Sequence, residues 1–238
     1  MGKKQYLCVL DTETVTSLRK VFDLGYKIID RSGSIYETGS FIAAEQIADA
    51  AQVRELTTDN FSKDKCHLYF NGLLNDSDEW QVVPFATIRE IVNQVISKYD
   101  AILCAYNIAF DINALNRTSR IYCGTDFFDT MPELCDIWAC ALSTVCATQK
   151  FIKFIADNSF VTGSGNPQTG AEAVYRYLTN DTDFNERHTA LADCDIEAEI
   201  FAACVRTHKK MSRDTVGMCV HNSYWQDIVA RYHEYTQN

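Results

Sequence analysis

Proline is scarce, with three in 238 residues, and glycine contributes only ten. Disordered and collagen-like chains carry far more of both, so those classes are excluded. Basic charge is also in deficit: 22 Lys+Arg stand against 32 Asp+Glu, a formal net charge of −10 and a pI near 4.9. A protein that coats nucleic acid by bulk charge is thereby excluded, and any nucleic-acid contact has to be local or helped by bound cations. No apolar run approaches the ~18 residues needed to span a bilayer. The run behind Lys3 and Lys4 ends at Asp11, too early for a signal peptide, and Tyr6 stands where a myristoylation signal has Ser or Thr. Although there are ten cysteines, no Cys-x-x-Cys pair occurs, and Cys135, Cys140 and Cys146 are spaced wrongly for a zinc knuckle. Cys8 in Tyr-Leu-Cys-Val-Leu and Cys104 in Ala-Ile-Leu-Cys-Ala sit among apolar neighbours. They read as buried free thiols, which predicts a reducing, cytoplasmic compartment and no membrane partner.

What remains is an ordinary folded chain, 47% hydrophobic and 23% charged, long enough to bury a substantial core. Tyr6–Leu10 is an apolar run with little alternation, the pattern of a strand buried on both faces. Leu24–Ile29 and Ile35–Ile42 follow, joined across Asp30-Arg31-Ser32-Gly33, which predicts an antiparallel hairpin. Helices are predicted over 44–56, from Pro84 with Ile88, Ile91, Val92, Val95 and Ile96 on one face, over 108–116, and over 132–157. Residues 57–79 read as a loop with a short strand around His67–Phe70, Ala101–Ala105 as a buried strand, and Phe127-Phe128 as a last strand. Thr162–Gly170 is dense in turn formers but lacks the Lys-Ser/Thr ending of a phosphate-binding loop, so it reads as a connection. Further helices are predicted over 171–178, 189–207 and 222–235. The order points to an α/β domain with a mixed central sheet flanked by helices.

Acidic residues carry the chemical signal. Asp11-Thr12-Glu13 closes the first strand, where residues i and i+2 share a face, so both carboxylates can converge. Converging carboxylates call for a cation, and hard divalent ions such as Mg²⁺ or Mn²⁺ suit all-oxygen donors. Asp195-Ile196-Glu197 repeats the spacing, but on a helix those side chains diverge by about 200° and read as a solvated face. Asp111 follows the buried strand at 101–105. His188 and Asp193 form a His-x4-Asp; on one continuous helix they would point about 140° apart. They can face one site only if His188 precedes the helix and Asp193 lies in its first turn. A histidine beside a carboxylate and a metal can titrate near neutrality and act as a general base.

Taken together, these segments resemble the DEDDh-type 3′–5′ exonucleases, the group that includes the proofreading subunits of bacterial replicative polymerases. Leu10–Thr14 is similar to their first motif, Asn107–Asp111 to the second, and His188–Asp193 to the third; the likeness runs from residue 6 to about 206. Gly165–Thr169 and Ala171–Thr179 are similar to exonuclease-like proteins of phages and prophages, which implies a bacterial or phage-infected cell. Tyr106 departs from the His found in many relatives. The resemblance implies a ribonuclease H-like fold and a two-metal phosphodiester hydrolysis. Asp11, Glu13, Asp111 and Asp193 would hold two Mg²⁺ (or Mn²⁺), and His188 would deprotonate the attacking water. It also implies that Thr12, Thr14, Asn107 and Phe110 lie against the 3′-terminal nucleotide. The expected substrate is a single-stranded DNA end. RNA is the alternative, since nothing here visibly reads the 2′-OH. A proofreading subunit with a polymerase or other replication partner is a further one, and a non-catalytic module is disfavoured by the presence of all five motif residues. Residues 1–207 are expected to form the exonuclease domain and 208–238 a helical tail packed on it. The tail's mix of basic and aromatic residues offers a rival role as a strand-tracking segment.

Overall fold

The computed structural model describes residues 5–15, 19–48, 69, 80–207 and 220–237. Its centre is β1 (Tyr6–Val15), whose Leu7, Cys8, Val9 and Leu10 are fully buried. Period-2 alternation divides them. Leu7 and Val9 join the core on one side of the sheet, Cys8 and Leu10 the core on the other. β1 pairs antiparallel with β2 (Lys20–Asp30), which pairs antiparallel with β3 (Ile35–Ala43). The hairpin turn is built by Asp30: its carboxylate accepts from the Ser32 N–H at 2.8 Å and its carbonyl from the Gly33 N–H at 2.9 Å. Gly33, at φ 88°, occupies the left-handed position that such a turn requires.

Helix α1 (Ala44–Ala48) follows β3, and β4 (Gln81–Val83) adds to β3's free edge in parallel. On the other side of β1, β5 (Ile102–Ala105) and β6 (Leu134–Asp136) add in parallel, giving a six-stranded mixed sheet of order β4-β3-β2-β1-β5-β6. Two helices cover one face: α2 (Phe85–Tyr99), started by Pro84 and buried through Phe85, Ile88, Val92, Val95 and Ile96, and α3 (Ile108–Tyr122). The opposite face carries α4 (Ile137–Ala141), a π-helical turn at Leu142–Cys146, α5 (Gln149–Asp157), α6 (Ala171–Thr179), α7 (Ala190–Thr207) and α8 (Val220–Gln237). The chain is thus an α/β protein with helices on both faces of a mixed sheet.

Several expectations change. Phe127-Phe128 is not a strand: both rings are buried as core filling, Phe127 against Phe85, while the last strand is the three-residue β6. The continuous helix expected over 132–157 is broken into β6, α4, the π turn and α5, the last restarted by Thr148, whose hydroxyl accepts from the Phe151 N–H. Helix α3 runs six residues past its expected end at Asn116. Most of the expected helix at 44–56 and of the loop and strand at 57–79 lies outside the described residues; Tyr69 is helical and buried. The tail helix packs on the domain through Ile228 and Tyr232, and Arg231 donates to the Ala147 carbonyl at 2.5 Å. Seven of the eight described cysteines are buried free thiols. Among the described residues no helix is long and apolar enough to cross a membrane.

Candidate active site

The site lies at the C-terminal end of β1. A register shift between Glu13 and Thr14 interrupts pairing with β2 there, and such irregularities re-aim strand-end side chains. Asp11 pairs in register with Gly25 on β2. A Cβ added to Gly25 would lie 2.4 Å from the Leu191 nitrogen and 2.6 Å from the Ala190 carbonyl oxygen. The glycine therefore lets the start of α7 rest directly on the sheet. Asp23 fixes that start, its Oδ2 accepting from the Ala190 N–H at 2.9 Å and from the Tyr69 hydroxyl at 2.7 Å. A carboxylate at a helix N-terminus satisfies an orphan donor and complements the dipole. Burial nevertheless pushes the Asp23 carboxyl up to about 7, the two hydrogen bonds pulling the other way.

Because α7 begins at Ala190, His188 precedes it and Asp193 sits in its first turn, the one arrangement in which both can face a common site. His188 takes a left-handed backbone at φ 55°, a conformation that costs a non-glycine residue about 1–3 kcal/mol and clusters at functional positions. A carboxylate oxygen of Glu13, one of Asp193 and a ring nitrogen of His188 all lie within 4.8 Å of one another. On its other side His188 meets a second acidic pair, Glu172 and Glu186, with Nδ1 3.6 Å from Glu186 Oε2. Glu186 is held in turn: its N–H donates to Glu172 Oε2 at 2.9 Å, and Glu172 pairs with Arg176 at 2.8 Å.

From the opposite helical layer, α3 brings Asp111, 5% exposed, toward the same strand end. The Thr12 hydroxyl donates to Asp111 Oδ1 at 2.8 Å. Thr12 is buried, and its side chain, expected to lie against substrate, is engaged with a site carboxylate. Thr14 is half-buried, Asn107 is exposed at the α3 N-cap without capping it through its side chain, and Phe110 is 36% exposed. Those three remain on the accessible side of the strand end and helix start.

One site residue was missed by the sequence reading. Glu197, set aside as part of a solvated helix face, is 3% exposed on α7, one turn after Asp193, whereas Asp195 does point outward and pairs with Lys27. Glu197 accepts from the Tyr106 backbone N–H, while its Oε2 has no hydrogen-bond partner. The Tyr106 hydroxyl donates to the Thr169 carbonyl at 2.6 Å, tying the glycine-rich connection to the site wall. The missed signal was the i, i+4 spacing of Asp193 and Glu197, which puts both carboxylates on the face of α7 that carries Ala190, Ile200 and Phe201.

Burial raises Asp11, Asp111 and Glu197 above the usual carboxylate range, and neighbouring acids add to it. Among the described residues, the charged groups that act on Asp11 are the carboxylates of Glu197, Asp111, Asp193 and Glu13. A buried all-oxygen set with an orphaned acceptor is the donor chemistry of a hard divalent cation, so these residues fit Mg²⁺ or Mn²⁺. No family model matches the chain, and no curated protein matches it.

Proposed function

We propose that the protein is a metal-dependent 3′–5′ exonuclease that hydrolyses the terminal phosphodiester of a single-stranded DNA end and releases 5′-mononucleotides. The observation that carries this reading is the convergence of Asp11, Glu13, Asp111, Asp193 and His188 from three separate segments at one strand end. The sheet order, with an antiparallel hairpin on one side of β1 and parallel strands on the other, is in keeping with the ribonuclease H-like fold that the motif resemblance implies.

In this reading Asp11, Glu13, Asp111 and Asp193 hold two divalent cations, with Glu197 supplying a further carboxylate behind them. Bound there, the cations neutralise the carboxylate field and stabilise the attacking and leaving oxygens of an in-line displacement. Thr12 keeps Asp111 in place by its hydroxyl hydrogen bond. His188 takes the proton from the attacking water, and Glu186 beside Nδ1 stabilises the imidazolium that forms, as a carboxylate partner does for a general base. Thr14, Asn107 and the exposed face of Phe110 border the place of the terminal nucleotide.

Two variants test the assignment. Asp11→Ala should abolish metal-dependent hydrolysis with the circular dichroism spectrum unchanged; near-normal turnover would refute it. His188→Ala should reduce turnover by about 10²–10⁴-fold, the range of a lost general acid–base group, with Mn²⁺ affinity retained. Loss of both would make His188 a ligand, a role its 4.8 Å neighbourhood with Glu13 and Asp193 also permits.

A further inference from the structure

A groove of about 510 Å³ runs along α3, within the size range of ligand clefts. Its lining includes Phe110, Asn113, Arg117, Arg120 and Ile121 of that helix, and Arg19 from the turn leading into β2. The helical residues recur at three- and four-residue intervals, so they form one stripe on the side of α3 opposite Asp111, Ile112, Leu115 and Ser119, which face the protein. Phe110 is 36% and Ile121 55% exposed, so apolar surface stands at both ends of the stripe with the guanidinium groups of Arg117 and Arg120 between.

Charge singles the groove out. In a protein of net charge −10, its lining holds three arginines and, among the described residues, no acid. Among the described residues, Asp126 faces it from the flank and accepts from Arg120 Nε at 2.6 Å, with both side chains more than half exposed. Exposed pairs of that kind contribute little, so a phosphate can exchange with Asp126 at little cost. Position matters as much as sign: Phe110 shares the first turn of α3 with Asp111, and Arg19 leads into β2 opposite Val15, so the groove starts at the end of the sheet that carries the site. From Phe110 to Arg120 the stripe extends about 15 Å, beyond the reach of one nucleotide.

We infer that this groove is the track of the single polynucleotide strand lying upstream of the terminal nucleotide, its bases contacting Phe110 and Ile121 and its phosphates the guanidiniums of Arg19, Arg117 and Arg120. An aromatic face for a base beside cations for the backbone is a means by which single strands are held without sequence preference, and arginine forks suit phosphate oxygens. The choice of occupant rests on the nuclease reading; the charge and shape of the groove do not.

The test is fluorescence anisotropy of 5′-fluorescein dT12 and U12 in EDTA, so that no strand is cut whatever the activity. Arg117→Gln/Arg120→Gln is compared with Lys98→Gln/Lys153→Gln, which removes the same charge from two exposed sites elsewhere. The groove pair should weaken binding by about tenfold and lower the salt slope by about 1.4, at 0.7 per phosphate contact; the control pair should change affinity less than twofold. Equal loss in both pairs, no loss in the groove pair, or no binding to the intact protein would overturn the inference. Displacement of dT12 by oligoglutamate at equal charge would instead assign the groove to acidic peptides. The two arms rank DNA against RNA. A strand held by the groove but never cut in Mg²⁺ leaves the groove standing and the nuclease reading refuted; a strand cut normally but indifferent to the arginines does the reverse.

Discussion

Glu197 offers the sharpest perturbation, because its replacement should move stability in opposite directions with and without metal. Its carboxylate is buried, one oxygen is held by the Tyr106 N–H, the other is orphaned, and Asp111, Asp193 and Glu186 press on it with like charge. Glu197→Gln keeps the shape and removes the charge. In EDTA at pH 8 the variant should therefore melt above the wild-type protein. Mn²⁺ should reverse the order. At a concentration 100 times its Kd, binding to the folded state adds about 2.7 kcal/mol, or about 5–11 °C at 2–4 °C per kcal/mol for a chain of this size. Losing a group that ligates or orients a ligand weakens metal affinity by about 10–100-fold. The same Mn²⁺ then stands at about 10 to 1 times Kd, its stabilisation falls to about 1.4–0.4 kcal/mol, and the shift shrinks to about 1–6 °C. Scanning calorimetry across a Mn²⁺ series measures both effects. A variant that melts below wild type in EDTA and gains as much from Mn²⁺ would show Glu197 to be a packing residue, and the reasoning would fail.

Two more predictions use the same framework. Gly25→Ala should push α7 off the sheet, since the new Cβ would meet Ala190 and Leu191 backbone at 2.4–2.6 Å. Overpacking of this kind costs about 1–3 kcal/mol, and a shift of about 1 Å between Asp193 and Asp11 should lower turnover by about 10²-fold; melting and single-turnover rates check both. The metal-free protein should lose stability as pH rises. Asp11, Asp23, Asp111 and Glu197 all hold their protons more tightly folded than unfolded, Asp23 up to about 7. Their contribution is therefore full below the ordinary carboxylate range and is lost as pH climbs through the folded-state values, about 7 for Asp23 and Asp111. Melting temperatures in EDTA should fall between pH 5 and pH 8, and saturating Mn²⁺ should flatten the decline, because cations favour the ionised carboxylates. A flat or rising profile in EDTA would contradict this.

Much of the architecture was legible because it rests on local signals. The doubly buried β1, the Asp30–Gly33 hairpin, Pro84 at the start of α2 and the Thr162–Gly170 connection each follow from periodicity or turn chemistry. Phe127-Phe128 misled because an apolar pair reads equally as a strand or as core filling, and only the rings of Phe85 and Phe128 around Phe127 decide it. The break inside 132–157 was hidden by uniform apolarity. At the site, the placement of His188 before α7 and Asp193 within it followed from helix geometry alone. Thr12 and Glu197 did not: one looked like a residue facing substrate and the other like surface charge. Their roles depend on α3 and α7 approaching β1 from opposite faces, and that approach depends on Gly25 and Asp23, which no local pattern singles out.

The most direct test of the central claim is a time course on 3′-labelled and 5′-labelled single-stranded DNA and RNA with Mg²⁺, Mn²⁺ or EDTA. The account predicts a ladder shortening from the 3′ end, release of 5′-mononucleotides, and complete dependence on the divalent cation. Cleavage that persists in EDTA, proceeds from the 5′ end, or is absent from every substrate while Mn²⁺ still binds would contradict it.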